Sequence, residues 1–237
     1  MTDPLVLLTE VDRATERLLR TAESLDDDAM AEASLLPGWT RGHVLTHLAR
    51  NADALLNLLT WARTGVVTPA YRDARQRERD IEAGATRPRA EQVADIRDSA
   101  ARLAAAGDAM PAAAWAAVLD LPDGPQPAAL IVWRRLREVE VHHVDLAAGY
   151  GPADWPEAFS HRLLHEAVAD LGGRDDFPSL VLEPGEAGHR LICGEPDGAP
   201  ILSGPTWALA AWLIGRANGE RLIRTPPGPL PTPPHWR

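Results

Sequence analysis

The chain has 237 residues, 45% of them apolar, which is enough for one large domain or two small ones with a buried core. Its formal charge of −10 argues against non-specific binding to nucleic acid or to an anionic membrane. One cysteine, Cys193, excludes an intrachain disulfide framework. No apolar run approaches the roughly 20 residues that span a bilayer, and the N-terminus has no secretory pattern. We therefore expect a cytoplasmic protein without membrane spans.

Four long helices are predicted in the first part of the chain, because apolar residues recur there at helical spacing. Asp3 with Pro4, and later Thr40, are typical helix starts. The predicted helices span residues 4–24, 40–64, 88–103 and 127–149. Residues 65–87 are polar and predicted to form a loop, while residues 115–121 fit either a short strand or a helical turn. Four helices with modest connections indicate an antiparallel four-helix bundle.

The residue pattern changes after Gly149, and we predict a domain boundary there. One domain would span residues 1–151 and the other residues 152–237. The second part combines helical patterns with short extended runs separated by Pro/Gly turns, and it ends in a Pro-rich tail. Its predicted helices span residues 155–171 and 206–216, and its extended runs span 179–182, 190–193 and 201–203. The expected fold class is mainly α with α+β: a four-helix bundle plus a small α+β domain.

The fourth predicted helix carries Glu138 and His142 four residues apart, so that both side chains lie on one helical face. Asp145 shares that face, and the flanking valines indicate a mostly buried helix. Ionisable groups in such a place are costly unless they are paired or ligated. The spacing alone fits a Glu–His hydrogen bond or ion pair as well as it fits a metal site.

The second predicted helix carries His43, His47 and Asn51 as a stripe on one face. A single histidine on an apolar face is most often a core residue, but two bundle helices can bring histidines and a carboxylate together. A set of two histidines and one glutamate leaves a coordination position open, as catalytic Zn²⁺ sites do. Nickel, iron and manganese also accept these ligands. Zinc is the ion we expect.

Two helical motifs resemble those of the mycothiol-dependent maleylpyruvate isomerases. Residues 36–55 (LPGWTRGHVLTHLARNADAL) are similar to that family's second-helix motif, and residues 137–146 (REVEVHHVDL) to its fourth-helix motif. Residues 204–216 more weakly resemble the end of its C-terminal domain, which is related to sterol-carrier proteins. The resemblance implies a DinB-like metal-binding bundle with His47, Glu138 and His142 as ligands. It leaves His143, which points about 100° away from His142, outside the ligand set.

The same resemblance implies a thiol-dependent metalloenzyme whose partners are a small electrophile and a low-molecular-weight thiol, mycothiol. A metal-activated thiolate would add to an electron-poor cis double bond, the resulting single bond would rotate, and elimination would give the trans isomer. One alternative is a thiol S-transferase that uses the same site and releases the conjugate. Another is a non-catalytic module that binds metal or a small ligand. Either a monomer or a homodimer is compatible with the sequence.

Several further residues are candidates for the site. Asn51, Asp53 and Asp145 are candidates for hydrogen bonds to ligands, and His43 for the same role or for helix capping. Arginines near the motifs are candidates for binding a substrate carboxylate, although each fits a surface ion pair as well; they are Arg50, Arg134, Arg135 and Arg137. Arg216 is assigned to cofactor binding by the resemblance. Cys193 is interpreted as a buried, inert thiol in a strand.

Overall fold

The computed structural model of the chain describes residues 3–122, 124–185 and 188–236, which form eight α-helices and six β-strands. The helices are α1 (Pro4–Ser24), α2 (Asp27–Met30), α3 (Arg41–Thr64), α4 (Ala74–Ala85), α5 (Arg89–Asp108), α6 (Leu130–Asp145), α7 (Glu157–Leu171) and α8 (Thr206–Leu213). The strands are β1 (Val118–Leu121), β2 (Gly124–Pro127), β3 (Leu180–Pro184), β4 (Leu191–Cys193), β5 (Ile201–Gly204) and β6 (Ile223–Thr225). By their internal contacts the residues form two units, Met1–Tyr150 and Gly151–Arg237.

The four long helices α1, α3, α5 and α6 of the first unit form the predicted bundle. Helix α3 packs against α5 and α6, and α1 packs against the same two helices. Apolar residues spaced three and four apart place one face of each helix in the common core, where Leu18, Leu45, Ile96 and Val139 are fully buried. None of the helices in the described part of the chain is long and apolar enough to cross a membrane.

Two local predictions for this unit need correction. Residues 65–87 are not all loop, because helix α4 occupies the second half of that stretch. Helix α4 is mostly charged and buries little more than Ile81 and Ala85, so it offers too few apolar residues for the helix to be predicted from their spacing. The fourth long helix spans Leu130–Asp145 and not residues 127–149: at its start, β2 ends at Pro127 and pairs with β1 in a hairpin.

Helix α4 lies unusually close to the start of α3, and two glycines make this approach possible. A Cβ atom at Gly42 would stand 2.1 Å from the backbone oxygen of Ala85. A Cβ atom at Gly84 would stand 2.5 Å from the Thr46 methyl carbon. Both distances are too short for real contacts, so any larger side chain would push the two helices apart.

We therefore expect Gly42→Ala to lower the free energy of unfolding by about 2 kcal/mol, because the overpacking cost exceeds the small helix-propensity gain of alanine. Denaturant unfolding measures this change. Gly173→Ala is the control, because a Cβ there would meet no heavy atom within 4 Å. Equal effects of the two substitutions would contradict the close-approach explanation.

The second unit is built on a four-stranded sheet with strand order β4-β3-β5-β6. Strands β3 and β5 are parallel, and the two outer pairs are antiparallel. Helices α7 and α8 pack on each other, with α7 also on β4 and α8 on β3 and β5. The sequence did not predict β6, a three-residue edge strand whose Ile223 is exposed. The mainly α fold with a small α+β part is confirmed.

Candidate metal centre

Three side chains from two bundle helices meet at one point in the first unit. His47 of α3 lies with its Nε2 atom 2.9 Å from Oε2 of Glu138 on α6. Nε2 of His142, one turn further along α6, lies 3.5 Å from the same oxygen. One potential ligand atom from each residue lies within 4.8 Å of the other two. We call these three residues the triad.

The local structure explains why the triad forms. Glu138 and His142 are one helical turn apart on the face of α6 that packs against α3. Arg41, at the start of α3, donates from Nε to the Leu146 carbonyl at 2.7 Å and from Nη2 to the Ala147 carbonyl at 3.0 Å. These carbonyls lie just beyond the end of α6, where helix geometry leaves them without intrahelical partners. Arg41 thus fixes the two ligand-bearing helices to each other.

Asp145 orients one member of the triad. Its Oδ2 atom lies 2.8 Å from Nδ1 of His142, and its side chain is buried. A carboxylate on Nδ1 keeps a proton on that nitrogen and leaves Nε2 to face Glu138. Carboxylate–histidine pairs of this kind support metal-binding histidines in many proteins.

A guanidinium and two aromatic rings adjoin the triad on its other side. Nη2 of Arg77, on α4, lies 3.2 Å from Nδ1 of His47. Arg77 also lies beside Tyr71, and its guanidinium is 6.0 Å from the centre of the Trp39 ring. Because a guanidinium only donates, Nδ1 of His47 accepts and the ring proton lies on Nε2, facing Glu138. Trp39 lies 5.5 Å from the His47 ring, measured between ring centroids.

The ionisation of the triad follows from burial and from these hydrogen bonds. Burial lowers the pKa of His47, so this imidazole is neutral at neutral pH. Burial opposes ionisation of Glu138, but hydrogen bonds from His142 and His47 hold the pKa of that carboxyl well below its usual range. Burial likewise disfavours charge on His142, but hydrogen bonds to Asp145 and Glu138 raise its pKa to about 9. Without an ion, a carboxylate and an imidazolium therefore neutralise each other here.

The triad fits a divalent cation by donor type and by spacing. Two imidazoles and one carboxylate are a known ligand set of catalytic zinc sites. With bonds of about 2.0–2.1 Å, two ligands of a tetrahedral ion stand about 3.3 Å apart. The distances from the Glu138 oxygen to the two imidazole nitrogens, 2.9 and 3.5 Å, lie on either side of that value.

Comparisons with known proteins give the family. Residues 11–147 match the model of the mycothiol maleylpyruvate isomerase N-terminal domain. The chain belongs to this family. A crystal structure of a mycothiol-dependent maleylpyruvate isomerase superposes with a TM-score of 0.90 at 30% identity, covering 99% of this chain and 98% of that one. A histidine-to-alanine mutant of such an isomerase matches with the same values. A search of curated protein sequences found no significant match.

The family resemblance predicted from the two helical motifs is thus confirmed, and the chain is a member of an enzyme family. The assignment of Arg216 to cofactor binding stays a prediction. Arg216 follows α8 in the second unit, is partly exposed, and donates from Nη1 to the Ile214 carbonyl at 3.1 Å.

Two polar residues of the α3 stripe have roles outside the triad. His43 forms a capping box with Thr40, whose backbone N–H donates to Nδ1 of His43 at 3.1 Å. Asn51 accepts a hydrogen bond of 2.9 Å from Arg135 and does not touch a member of the triad among the contacts described. Asp53, which lies on α3 outside this stripe, pairs with Arg50 and Arg102.

Three of the four arginines near the motifs have described partners outside the triad. Arg50 pairs with Asp53 and Asp95. Arg134 donates to the Gln126 side chain. Arg135 is buried, donates to the Leu48 carbonyl at 2.7 Å, and has a pKa that burial lowers to about 10. Arg137 is partly exposed.

Two residues beside the α6 ligands face away from the triad toward α1. Buried Glu140 accepts hydrogen bonds from Arg17 and from the Tyr150 hydroxyl. His143 lies 2.8 Å from the Thr21 hydroxyl and stacks on Tyr150 at 3.8 Å between ring centres. This contact pattern agrees with the prediction that His143 is not a ligand, although it is a buried core residue.

The sequence interpretation missed Arg77 and Tyr71. Both lie within the stretch that was predicted to be loop, so no face could be assigned to them. A cleft of about 750 Å³ between α3, residues 69–72 and α4 is lined in part by Tyr71. The cleft does not include the triad. Tyr71, which lines the cleft, lies beside Arg77, and Arg77 contacts His47. A signal for α4 exists in Asp73 and Gln76, which form its N-terminal cap.

Proposed function

We propose that His47, Glu138 and His142 hold a divalent cation, zinc being the expected ion, in a thiol-dependent isomerase. The observation that carries the proposal is the meeting of two imidazoles and a carboxylate, with Asp145 behind one of them, in a chain of this family. We further propose mycothiol as the thiol and Arg216 as a residue that binds it, since the solved relatives are named for their dependence on mycothiol.

A bound cation would lower the pKa of a thiol and polarise a carbonyl, and the thiol would supply reversible addition to a double bond. Asp145 keeps Nδ1 of His142 protonated, so that Nε2 offers its lone pair to the cation. Once Nε2 of His47 is engaged, its ring proton lies on Nδ1, which can no longer accept from Arg77. The Arg77 guanidinium is then available to an anionic substrate.

The substrate class follows from these groups. A guanidinium binds a carboxylate through two parallel hydrogen bonds, which fixes the orientation of a small, flat acid. The Trp39 ring beside His47 and Arg77 offers an apolar wall to such a molecule. We propose that the substrate is a small unsaturated carboxylate whose cis double bond is conjugated to a carbonyl. Maleylpyruvate, which appears in the names of the solved relatives, is such a molecule.

The test is an assay with maleylpyruvate and mycothiol on metal-loaded protein, which follows loss of the cis acid and the concentration of free thiol. An isomerase should form the trans product and leave the concentration of free thiol unchanged at the end of the reaction. Consumption of one thiol per substrate would instead establish an S-transferase. Tight metal binding without turnover of any electrophile in a panel of cis and trans enoates would favour a binding module and overturn the enzymatic proposal.

The thiol is expected to come from outside the protein, because Cys193 is unsuited to be a nucleophile. Its side chain is fully buried in β4, and burial raises its pKa to about 11. Cys193→Ser should therefore keep wild-type metal content and turnover, whereas removing small thiols from the assay should abolish the turnover of wild type. Sustained turnover without added thiol that disappears in Cys193→Ser would contradict this prediction.

A further inference from the structure

Four of the eight histidines lie in the second unit, and three of these cluster around helix α7. Glu157, His161 and His165 follow one another at intervals of four residues, so they form a stripe along one face of the helix. His189, from the segment between β3 and β4, approaches the end of this stripe. Its Nε2 atom lies 3.3 Å from Nε2 of His165, and the two rings stack with centroids 5.4 Å apart.

The separation of the two nitrogens is that of two ligands on one metal ion. Tetrahedral zinc with Zn–N bonds of about 2.0–2.1 Å places its ligand nitrogens about 3.3 Å apart. A metal-bound imidazole must be neutral, as an unperturbed surface histidine mostly is at about pH 7 and above. Both rings lie at the protein surface, so an ion and its remaining water ligands would have free access.

His161 supplies a third imidazole one helical turn from His165. Its Nε2 atom is 3.7 Å from a carboxylate oxygen of Glu157, which is exposed and holds it weakly. Histidines four residues apart on a helix point the same way, so a rotamer change brings His161 toward the His165–His189 pair. Imidazoles are preferred by zinc, nickel and copper, and not by magnesium or calcium.

We propose that His165 and His189 form a second site for a transition-metal cation, with His161 as a third ligand. The site is independent of the triad in sequence and does not depend on the proposed enzymatic function. Because its side chains are exposed and lose rotamer freedom on binding, its affinity is lower than that of the triad. Its imidazole-only donor set selects borderline cations and excludes alkaline-earth ions.

The experiment is a calorimetric titration of the metal-free full-length protein with Zn²⁺. We expect two binding events per chain, the weaker of which becomes at least tenfold weaker in His165→Ala and in His189→Ala. His161→Ala should weaken it several-fold. The matched control is His235→Ala, because His235 is a histidine of the same unit outside the cluster. Both binding events should keep their wild-type affinity in this variant. In His142→Ala the stronger event should be lost and the weaker one kept.

A second measurement separates coordination from a simple hydrogen bond between the rings. The imidazole ¹⁵N resonances of His165 and His189 should shift together on addition of Zn²⁺ and remain unchanged on addition of Mg²⁺. A single binding event in wild type that disappears in His142→Ala would overturn the proposal. So would a weaker event that persists in the folded His165→Ala and His189→Ala proteins, or ¹⁵N resonances that Zn²⁺ leaves in place.

Discussion

His142→Ala protein is expected to purify with less than about a tenth of the metal of wild type at its triad. Removal of a group that merely supports a ligand costs about 10- to 100-fold in metal affinity, and removal of a ligand itself should cost more. The substitution also leaves Asp145 buried without its imidazole partner. Elemental analysis after dialysis against a metal buffer measures the loss, and circular dichroism checks that the helices remain. To exclude the weaker His165–His189 site from the count, the measurement is made in the His165→Ala background.

His143→Ala is the matched control, because it removes the neighbouring imidazole from the same helix. It should keep full metal content, since the contacts described for His143 are with Thr21 and Tyr150. Its free energy of unfolding should fall, because the ring is buried. If His143→Ala loses the metal and His142→Ala keeps it, the assignment of ligands on α6 is wrong by one residue.

Replacing Arg77 by methionine should lower kcat/KM by about 100-fold while metal content stays at the wild-type level. Arg77 touches His47 through Nδ1, which a cation bound at Nε2 does not use. The carboxylate that Arg77 would bind is charged in the substrate and in the transition state alike. Most of the loss should therefore appear as a higher KM and less as a lower kcat. Steady-state kinetics with added thiol measures the two constants.

Arg79→Met provides the comparison, because Arg79 is an exposed arginine on the same helix. It should leave both constants within about twofold of wild type, as most surface substitutions away from a site do. Arg77→Lys should recover part of the affinity, since it restores the charge but not the two parallel hydrogen bonds. The proposed role of Arg77 is rejected if Arg77→Met protein retains its metal and turns over like wild type.

The parts of the fold that the sequence predicted well are those with a strong apolar period. Helices α1, α3, α5 and α6 each bury one apolar face, and this period can be seen without knowledge of their partners. Helix α4 has too few apolar residues to show such a period clearly, because it lies on the outside of α3 and contacts it partly through glycines. The traces of α4 in the sequence are the two glycines that allow its close approach, Gly42 and Gly84, and the N-terminal cap formed by Asp73 and Gln76.

Of the candidate site, only the stripes of polar residues along α3 and α6 could be predicted from the sequence. Spacing on α6 places Glu138 and His142 on one face, but the partner of each polar residue depends on tertiary packing. His43 and Asn51 share the stripe of His47, yet Thr40 and Arg135 engage them instead. Helical spacing alone could not distinguish His47 from its neighbours as the expected ligand. The resemblance to the family motifs was needed for that choice.

His47 and Glu138 are 91 positions apart in the chain, and an ion held between them would act as a removable cross-link. A chain with one cysteine can form no internal disulfide, so coordination bonds would be the cross-link that closes this loop. Ion binding would then favour the folded bundle, since the two halves of the site meet only there. A chelator would therefore lower the free energy of unfolding of the metal-loaded protein as well as remove its chemistry.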